Sequence, residues 1–260
     1  YNILQIRRYD DDCMQEVYTM YETEIAKLQE IIDDSQRIVF FGGAGVSTES
    51  GIPDFRSADG IYHQRYKYSP EQVVSHSFFV NHTEAFYDFY KEKMIFLDAK
   101  PNKAHLKLAE LEAAGKLSAV VTQNIDGLHQ AAGSKTVYEL HGSILRNYCQ
   151  RCGKSYDVQY VKKAEGVPLC ECGGIIKPDV VLYEEGLDSN VIQNSIRAIS
   201  QADTLIIGGT SLVVYPAASF IDYFRGKHLV VINKSATAKE VGAELTIAAP
   251  IGEILGAIRV

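Results

Sequence analysis

The sequence predicts an α/β protein, with a doubly wound parallel sheet (Rossmann-like) and a smaller domain made of a helical insert and a zinc-ribbon module. Polar or glycine-containing loops follow short apolar runs, as they do at the carboxyl ends of parallel strands. Segments of helical periodicity alternate with these strand-like runs, which lie at residues 39–41, 118–122, 137–140, 204–208 and 228–232. Two stretches that interrupt the alternation predict the smaller domain.

The predicted division of the chain follows from these interruptions. An aromatic-rich stretch separates the first two strands, and a cysteine-bearing stretch precedes the fourth. The predicted units are a Rossmann-like domain (22–56, 101–147 and 177–260), a helical insert with a ligand-binding loop (57–100), a zinc-binding module (148–176) and an N-terminal extension of unknown role (1–21).

Two helical segments have clear apolar faces. Residues 22–34 repeat Ile and Leu at helical spacing and lead into the first strand. A second helix is predicted to begin near Asn102 and to turn Leu106 and Leu108 inward. Both helices are expected to pack against the sheet.

Composition excludes several classes of function. The chain has 260 residues, 46% hydrophobic and 23% charged, as in ordinary globular proteins. With 26 basic and 33 acidic residues its formal charge is -7, which disfavours binding to nucleic acid or an anionic membrane. It has neither an apolar run of about 18 residues nor the apolar core of a signal peptide, so the predicted location is cytoplasmic.

The first strand-like run leads into a glycine loop. Residues 39–56 read VFFGGAGVSTESGIPDFR, with Gly43 and Gly45 spaced as in nucleotide-binding loops and Thr48 where a dinucleotide fingerprint has its third glycine. Backbone N–H groups of such a loop bind phosphate, and the hydroxyls of Ser47 and Thr48 add donors. The alternative is that the glycines only form a tight turn.

Further polar segments follow the other predicted strands. Residues 123–128 read QNIDGL, residues 209–212 read GTSL, and residues 233–235 read NKS. His141 ends the third strand, where an imidazole facing a ligand crevice titrates near neutrality and serves as a general base. A partly buried structural histidine is the alternative. Ligands bind outside the carboxyl ends of parallel strands, so these segments are expected to meet over one crevice.

Four of the five cysteines lie close together in the sequence. Cys149 and Cys152 form a CxxC pair, and Cys170 and Cys172 form a CxC pair after 17 intervening residues. Four thiolates complete the tetrahedral coordination of zinc and leave no open position, which predicts one structural ion. Free or disulfide-bonded thiols are the alternative.

GAGVS followed by GIPDFR resembles the sirtuin family, the NAD-dependent protein lysine deacylases, and the resemblance spans about Glu22 to Ile258. It implies a bacterial-type deacetylase and a cofactor-binding loop at the start of residues 57–100. By the same resemblance, the residues that would bind NAD are Ala44, Gly45, Thr48, Phe55, Arg56, Gln123, Ile125, Asp126, Thr210, Ser211, Asn233, Lys234 and Ile251.

The resemblance also implies a reaction. Acetyl-lysine and NAD would give lysine, nicotinamide and O-acetyl-ADP-ribose, with nicotinamide as product and inhibitor. His141 would be the general base toward the ribose hydroxyls, and Asn124 would order the ribose or a water. Asp126 would accept from the nicotinamide carboxamide. The catalytic residues implied are therefore His141, Asn124 and Asp126.

Acyl-lysine proteins or peptides are the implied partners. Val181, Leu182, Tyr183 and Val214 lie in extended segments that would hold the peptide as an added strand. On the residues alone, core strands are the preferred explanation. Sirtuins that remove acidic acyl groups carry Tyr-x-x-Arg in the helical insert. Here residues 87–90 read YDFY without Arg, so a neutral acyl group is expected.

Two other classes of function compete with this interpretation. An oxidoreductase would bind NAD on the same kind of sheet, but the third glycine of its fingerprint is absent. A binding module without catalysis would not need His141, Asn124 and Asp126 together. Release of free nicotinamide distinguishes the deacetylase from both.

Overall fold

The computed structural model describes residues 20–54, 68–235 and 242–260. Most of the predicted N-terminal extension, residues 55–56 at the end of the first Rossmann-like segment and residues 57–67 of the predicted insert lie outside these ranges. Within them the strands form two sheets. The strands are β1 (Ile38–Gly42), β2 (Leu117–Thr122), β3 (Val137–Glu139), β4 (Gly142–Cys149), β5 (Ser155–Tyr156), β6 (Ile176–Val180), β7 (Thr204–Gly208), β8 (His228–Ile232) and β9 (Leu245–Ile247).

Helices separate most of these strands. In the described part of the chain, none combines the length and apolar character needed to cross a bilayer. Short 3-10 turns follow β1, and a longer 3-10 helix, Ala217–Tyr223, precedes β8. The α-helices are α1 (Glu22–Asp34), α2 (Pro70–Val73), α3 (His76–Asn81), α4 (Thr83–Lys93), α5 (Lys103–Ala113), α6 (Leu128–Ala132), α7 (Val158–Lys163), α8 (Ser189–Gln201) and α9 (Ile251–Gly256).

The larger sheet has six parallel strands in the order β3-β2-β1-β7-β8-β9. Numbered by position in the chain, this order is 3-2-1-4-5-6, the arrangement of doubly wound dinucleotide-binding folds. The predicted fold class is confirmed, with β9 as a strand that the sequence did not predict. The strand order reverses between β1 and β7, and ligands bind at that point in such sheets.

The sheet is buried on both faces because successive residues of β1 point to opposite sides. Ile38 and Phe40 belong to one apolar core with α1, α5 and α9. Val39 and Phe41 belong to a second core with α8 and the long 3-10 helix. All five residues of β1 are buried, so the glycine loop that follows starts from a rigid position.

The inward face of α5 differs from the prediction. Leu108 is buried as expected, but Leu106 is 53% exposed, so that part of the prediction is wrong. Ala104 and His105 turn inward instead. The helix starts at Lys103, after an Asn102 cap, and this start places positions 104, 105 and 108 on the side that faces the sheet.

The smaller unit contains the antiparallel sheet β5-β4-β6. Aromatic residues of α4 share one core with this sheet and with Cys149 and Cys170. The helical insert and the cysteine-bearing segment therefore pack around one shared apolar core, as the predicted fold class requires. The sheet extends beyond residues 148–176 at both ends, since β4 begins at Gly142, directly after His141.

Candidate active site

The loops at the carboxyl ends of the parallel strands line a cavity of about 970 Å³. Phe55 and Arg56 lie outside the described residues. Every other residue predicted for NAD, catalysis or substrate lines this one cavity. These residues are Ala44, Gly45, Thr48, Gln123, Asn124, Ile125, Asp126, His141, Val181, Leu182, Tyr183, Thr210, Ser211, Val214, Asn233, Lys234 and Ile251.

The glycine loop touches the end of β7 at the switch point. The Gly45 N–H donates to the Gly209 carbonyl oxygen over 2.8 Å. A Cβ at Gly45 would lie only 2.8 Å from the Gly209 Cα, and Gly209 itself has φ +58. Only glycine fits this crossing, so close approach of two protein loops requires Gly45 whether or not a phosphate also lies there.

Ser47 is the centre of a polar cluster on the floor of the cavity. Its hydroxyl donates to Asp126 Oδ2 over 2.7 Å and accepts from Asn124 Nδ2 over 3.0 Å. The Leu128 N–H donates to the other Asp126 oxygen over 2.9 Å. Ser47 is 1% exposed, so the cluster fixes Asn124 and Asp126 relative to the glycine loop.

His141 lies at the junction of the two sheets. Its Nδ1 is 3.0 Å from the Gln123 carbonyl oxygen. A carbonyl only accepts, so Nδ1 carries the proton and Nε2 is the basic nitrogen. Burial lowers the pKa of His141 from its usual value, partly offset by this hydrogen bond. The imidazole is therefore neutral near pH 7 and able to accept a proton.

The backbone around His141 is equally constrained. The Val181 N–H donates to the His141 carbonyl oxygen over 3.0 Å. Gly142 has φ +75, and a Cβ there would overlap the Asp179 carbonyl oxygen. This glycine lets β4 turn away to pair with β6, which places His141 beside the peptide-binding candidates 181–183.

The nucleotide side of the cavity combines polar groups with one unpaired donor. Asn233 Oδ1 accepts from the Thr210 N–H over 3.0 Å, and its Nδ2 donates to the Thr210 carbonyl over 2.8 Å. Asn233 therefore orders the loop after β7 besides lining the cavity. Gln123 Nε2 is buried without a partner in the described part of the chain. A ribose hydroxyl or phosphate oxygen of NAD would satisfy this donor, so the residues present fit that cofactor.

The opposite side of the cavity presents extended backbone and exposed aromatic rings. The Tyr183 N–H donates to the Val74 carbonyl over 3.0 Å, and its carbonyl accepts from the His76 N–H over 2.9 Å. Tyr215 is 73% exposed and lines the cavity with Val214. Tyr183, Val214 and Tyr215 also line an adjoining cavity of about 810 Å³, so the surface continues beyond the first cavity.

Partly buried charged groups order the 181–185 segment. Glu185 accepts from Lys177 Nζ over 3.1 Å and from the Leu182 N–H over 2.9 Å. His76 Nδ1 lies 2.9 Å from the other oxygen of Glu185. Burial opposes ionisation of Glu185, but these contacts keep its pKa below the usual value. The segment is held by charge-assisted hydrogen bonds rather than by packing alone.

The four cysteine sulfurs form one compact group. All four Sγ atoms lie within 4.8 Å of one another, with 3.5 Å between Cys149 and Cys172 and 3.6 Å between Cys152 and Cys170. Tetrahedral zinc with Zn–S bonds of about 2.3 Å separates its sulfurs by about 3.8 Å. The Tyr156 hydroxyl donates to Cys170 Sγ over 3.1 Å, and the Arg151 N–H to Cys149 Sγ over 3.4 Å. The donor set fits zinc.

Several residues at the site were not among those predicted. Ser47 was recognised as a donor in the glycine loop, yet its role as partner of Asn124 and Asp126 depends on the crossing of β1 and β2. Met94 and Phe96, at the end of the helical insert, also line the cavity. Their apolar character is the same as that of core residues, so only their position reveals the contact.

Known proteins match this chain over most of its length. Residues 43–216 match the Sir2 family. The chain is 64% identical over 236 residues to the NAD-dependent protein deacetylase of Clostridium acetobutylicum, covering 89% of this chain and 96% of the relative. It is 62% identical over 241 residues to the enzyme of the same name from Clostridium perfringens, covering 91% and 99%.

Solved structures agree with the sequence relatives. A Sir2 variant in complex with a deacetylated p53 peptide and 3'-O-acetyl ADP ribose has a TM-score of 0.83 and 42% identity, covering 90% of this chain and 96% of that chain. A complex of Sir2 with a p53 peptide and NAD+ has a TM-score of 0.79 and 42% identity, covering 88% and 94%.

Proposed function

The chain belongs to the Sir2 family, and we propose that it is an NAD-dependent protein lysine deacetylase. It converts acetyl-lysine and NAD to lysine, nicotinamide and O-acetyl-ADP-ribose. The observation that carries this proposal is the single cavity that joins His141, the polar cluster around Ser47 and residues 181–183. One side suits a dinucleotide and the other suits an extended peptide.

Bound NAD supplies the ADP-ribosyl acceptor for the acetyl group, with nicotinamide as the leaving group. His141 accepts a proton at Nε2 from a ribose hydroxyl, since its Nδ1 is held by the Gln123 carbonyl. Asn124 orders that hydroxyl or a water. Asp126 accepts from the carboxamide of nicotinamide. Ser47 keeps both side chains in position.

The remaining cavity residues bind the cofactor without taking part in proton transfer. Gln123 donates a hydrogen bond from its unpartnered Nε2 group, and Thr48, Thr210 and Ser211 offer hydroxyls. Ile251 contributes an apolar wall. The same assignment includes Ala44, Gly45, Ile125, Asn233 and Lys234 of the described cavity, and Phe55 and Arg56 by resemblance.

Peptides that contain acetyl-lysine are the proposed substrates. Val181, Leu182, Tyr183 and Val214 are the proposed contacts of the peptide, which would lie along them as an extended segment. Nicotinamide, as a product that returns to its own pocket, is the expected inhibitor. A net charge of -7 supports protein rather than nucleic acid as the partner.

A neutral acyl group is the proposed preference. Tyr87 is buried with its hydroxyl donating to the Ile176 carbonyl, and its ring packs against Phe86. No arginine of the described residues lines the cavity. Among those described residues, an acidic acyl group would find no bidentate partner of the kind that recognises carboxylates. Acetyl-peptide turnover is therefore expected to exceed succinyl-peptide turnover.

The cysteine group is proposed to hold one structural zinc ion through Cys149, Cys152, Cys170 and Cys172. Four protein ligands leave no position for substrate, so zinc would stabilise the smaller sheet rather than take part in the reaction. Four unpaired thiols suit a reducing compartment, which supports a cytoplasmic location.

The decisive experiment incubates the protein with NAD and an acetyl-lysine peptide and analyses the products by mass spectrometry. Equal amounts of deacetylated peptide, nicotinamide and O-acetyl-ADP-ribose are expected. Formation of NADH without nicotinamide would instead indicate an oxidoreductase. Binding of NAD with no product would indicate a binding module.

A further inference from the structure

The side-chain amide of Asn102 makes hydrogen bonds to two segments of the chain, one through its oxygen and one through its nitrogen. Its Oδ1 accepts from the Ala104 N–H over 3.0 Å and from the His105 N–H over 3.4 Å, which caps α5. Its Nδ2 donates to the Val46 carbonyl over 2.7 Å and to the Ser50 hydroxyl over 3.0 Å. The two acceptor and two donor positions of the amide are all occupied.

The two donor contacts bracket the part of the glycine loop that faces the cavity. Between Val46 and Ser50 lie Ser47, the partner of Asn124 and Asp126, and Thr48, which lines the cavity. Asn102 itself does not line that cavity. Its position between α5 and the loop therefore connects a rigid helix to residues that meet the ligand.

The helix end of this connection is rigid. The Asn102 N–H donates to His105 Nδ1 over 3.2 Å and completes a reciprocal capping box. His105 is fully buried, and burial lowers its pKa to about 4, so the imidazole stays neutral and able to accept near pH 7. The far side of the loop is held separately, because Glu49 accepts from the Gly252 N–H over 2.8 Å.

We propose that Asn102 is a positioning residue for NAD: through Val46 and Ser50 it holds Ser47 and Thr48 where the cofactor needs them, without touching the cofactor. The proposal rests on the proposed function, since it presumes that NAD occupies the cavity. It assigns to this side chain a role beyond that of the helix cap seen in the structure.

Two substitutions separate the loop contacts from the cap. Asn102→Asp keeps an oxygen that caps α5 but replaces the donor to Val46 and Ser50 with an acceptor. Asn102→Ser also keeps a capping oxygen and removes the donor without adding charge. The matched control is Asp188→Ala, because Asp188 caps α8 through the Asn190 and Val191 N–H groups and does not line the cavity.

The experiment measures, on the whole chain, steady-state kinetics with an acetyl-lysine peptide, calorimetric binding of ADP-ribose, and Tm. Both Asn102 variants are expected to raise the KM for NAD and the Kd for ADP-ribose about five- to tenfold, the size of effect of one hydrogen bond, because the two lost contacts act on the cofactor only through Ser47 and Thr48. The KM for peptide should stay within about twofold of the wild type. Asp188→Ala should lower Tm and leave ADP-ribose affinity unchanged.

Each possible result of this experiment supports or contradicts the proposal. If the Asn102 variants lower Tm as Asp188→Ala does, while ADP-ribose binds with wild-type affinity, Asn102 is only a helix cap and the proposal is wrong. If the KM for peptide rises as much as the KM for NAD, it is also wrong. Wild-type protein that binds no ADP-ribose would refute the proposed function itself, and the proposal with it.

Discussion

The parallel sheet carries a histidine at each end, and the two are treated in opposite ways. At the amino ends of the strands, His228 Nε2 lies 2.9 Å from Asp34 and its Nδ1 lies 2.5 Å from Glu244. At the carboxyl ends, the His141 imidazole has one hydrogen-bond partner among the described residues, the Gln123 carbonyl. Two carboxylates surround the His228 imidazole. None of the described ion pairs involves His141.

The pKa directions follow from these partners. Burial opposes charge on His228, but the hydrogen bonds that it donates to Asp34 and Glu244 outweigh this effect and raise its pKa. Burial lowers the pKa of His141, and the Gln123 carbonyl offsets only part of that. A histidine with both nitrogens paired to carboxylates stabilises the fold as a cation. A histidine with one nitrogen unpaired and facing a cavity can act as a base.

Replacement of His141 tests the comparison most strongly. We expect His141→Ala to lower kcat on the order of 10² to 10⁴-fold, the usual contribution of a general base, with little change in Tm. His228→Gln serves as the control and should retain most activity. Normal turnover of His141→Ala, measured as nicotinamide release, would remove the functional half of the comparison.

Loss of one cysteine ligand should have the next largest effect. Cys170→Ser is expected to abolish stoichiometric zinc, because its sulfur is one of four that form the site. Cys170 also belongs to the core of the smaller sheet, so Tm should fall together with zinc content. Metal analysis and a thermal scan check this result. An unchanged melt in metal-free protein would show that zinc does not stabilise this sheet.

Ser47→Ala tests the polar cluster beside His141. The substitution leaves the Asn124 amide without its acceptor and removes the donor to Asp126, so we expect kcat/KM for NAD to fall about tenfold. Thr48→Ser offers a matched change on the same loop with a hydroxyl retained. Equal kinetics for Ser47→Ala and wild type would mean that Asn124 and Asp126 are held by other contacts.

The pH dependence of stability tests the His228 half of the comparison. The folded pKa of His228 is above its ordinary 6.5, so its stabilisation is fully present below pH 6.5 and is lost as pH rises through the folded pKa. The hydrogen bond from Lys227, followed by that from His228, lowers the pKa of Asp34 to about 2, so its contribution is lost only as pH falls below 3.8 toward that value. Lys227 also pairs with Asp34, and Lys27 also pairs with Glu244.

We therefore expect the Tm difference between wild type and His228→Gln to be about 2 °C near pH 5 and to shrink toward zero by about pH 9. Thermal scans across that range measure it. The effect is small because Asp34 and Glu244 are partly exposed. A difference that stays constant with pH would indicate packing rather than charge.

Much of this site followed from local patterns. GAGVS and GIPDFR identified the family, and the family match confirms that interpretation. His141 was singled out because it ends a strand, and the cysteine spacing indicated a metal group whose sulfurs do lie together. The prediction for Leu106 was wrong because helical periodicity alone does not show which side of a capped helix faces the sheet.

Other features needed the assembled chain. Ser47 meets Asn124 and Asp126 only because β1 and β2 are neighbours, although 79 positions separate Ser47 from Asp126. The Asn102 amide contacts Val46 and Ser50 across more than 50 positions. Such pairs leave no periodic signal, since hydrogen-bond partners between distant segments are set by strand order and loop crossing.

By itself the sequence determined which chemistry the chain carries: a glycine loop, an imidazole at a strand end, four thiols and alternating strands and helices. Those properties are local, because backbone preference and side-chain chemistry belong to single residues and short spacings. The tertiary structure alone decided that the basic nitrogen of His141 has no partner among the described residues, while His228 is enclosed by two carboxylates. A histidine's protonation depends on burial and neighbouring charge, and both arise only when distant segments pack together.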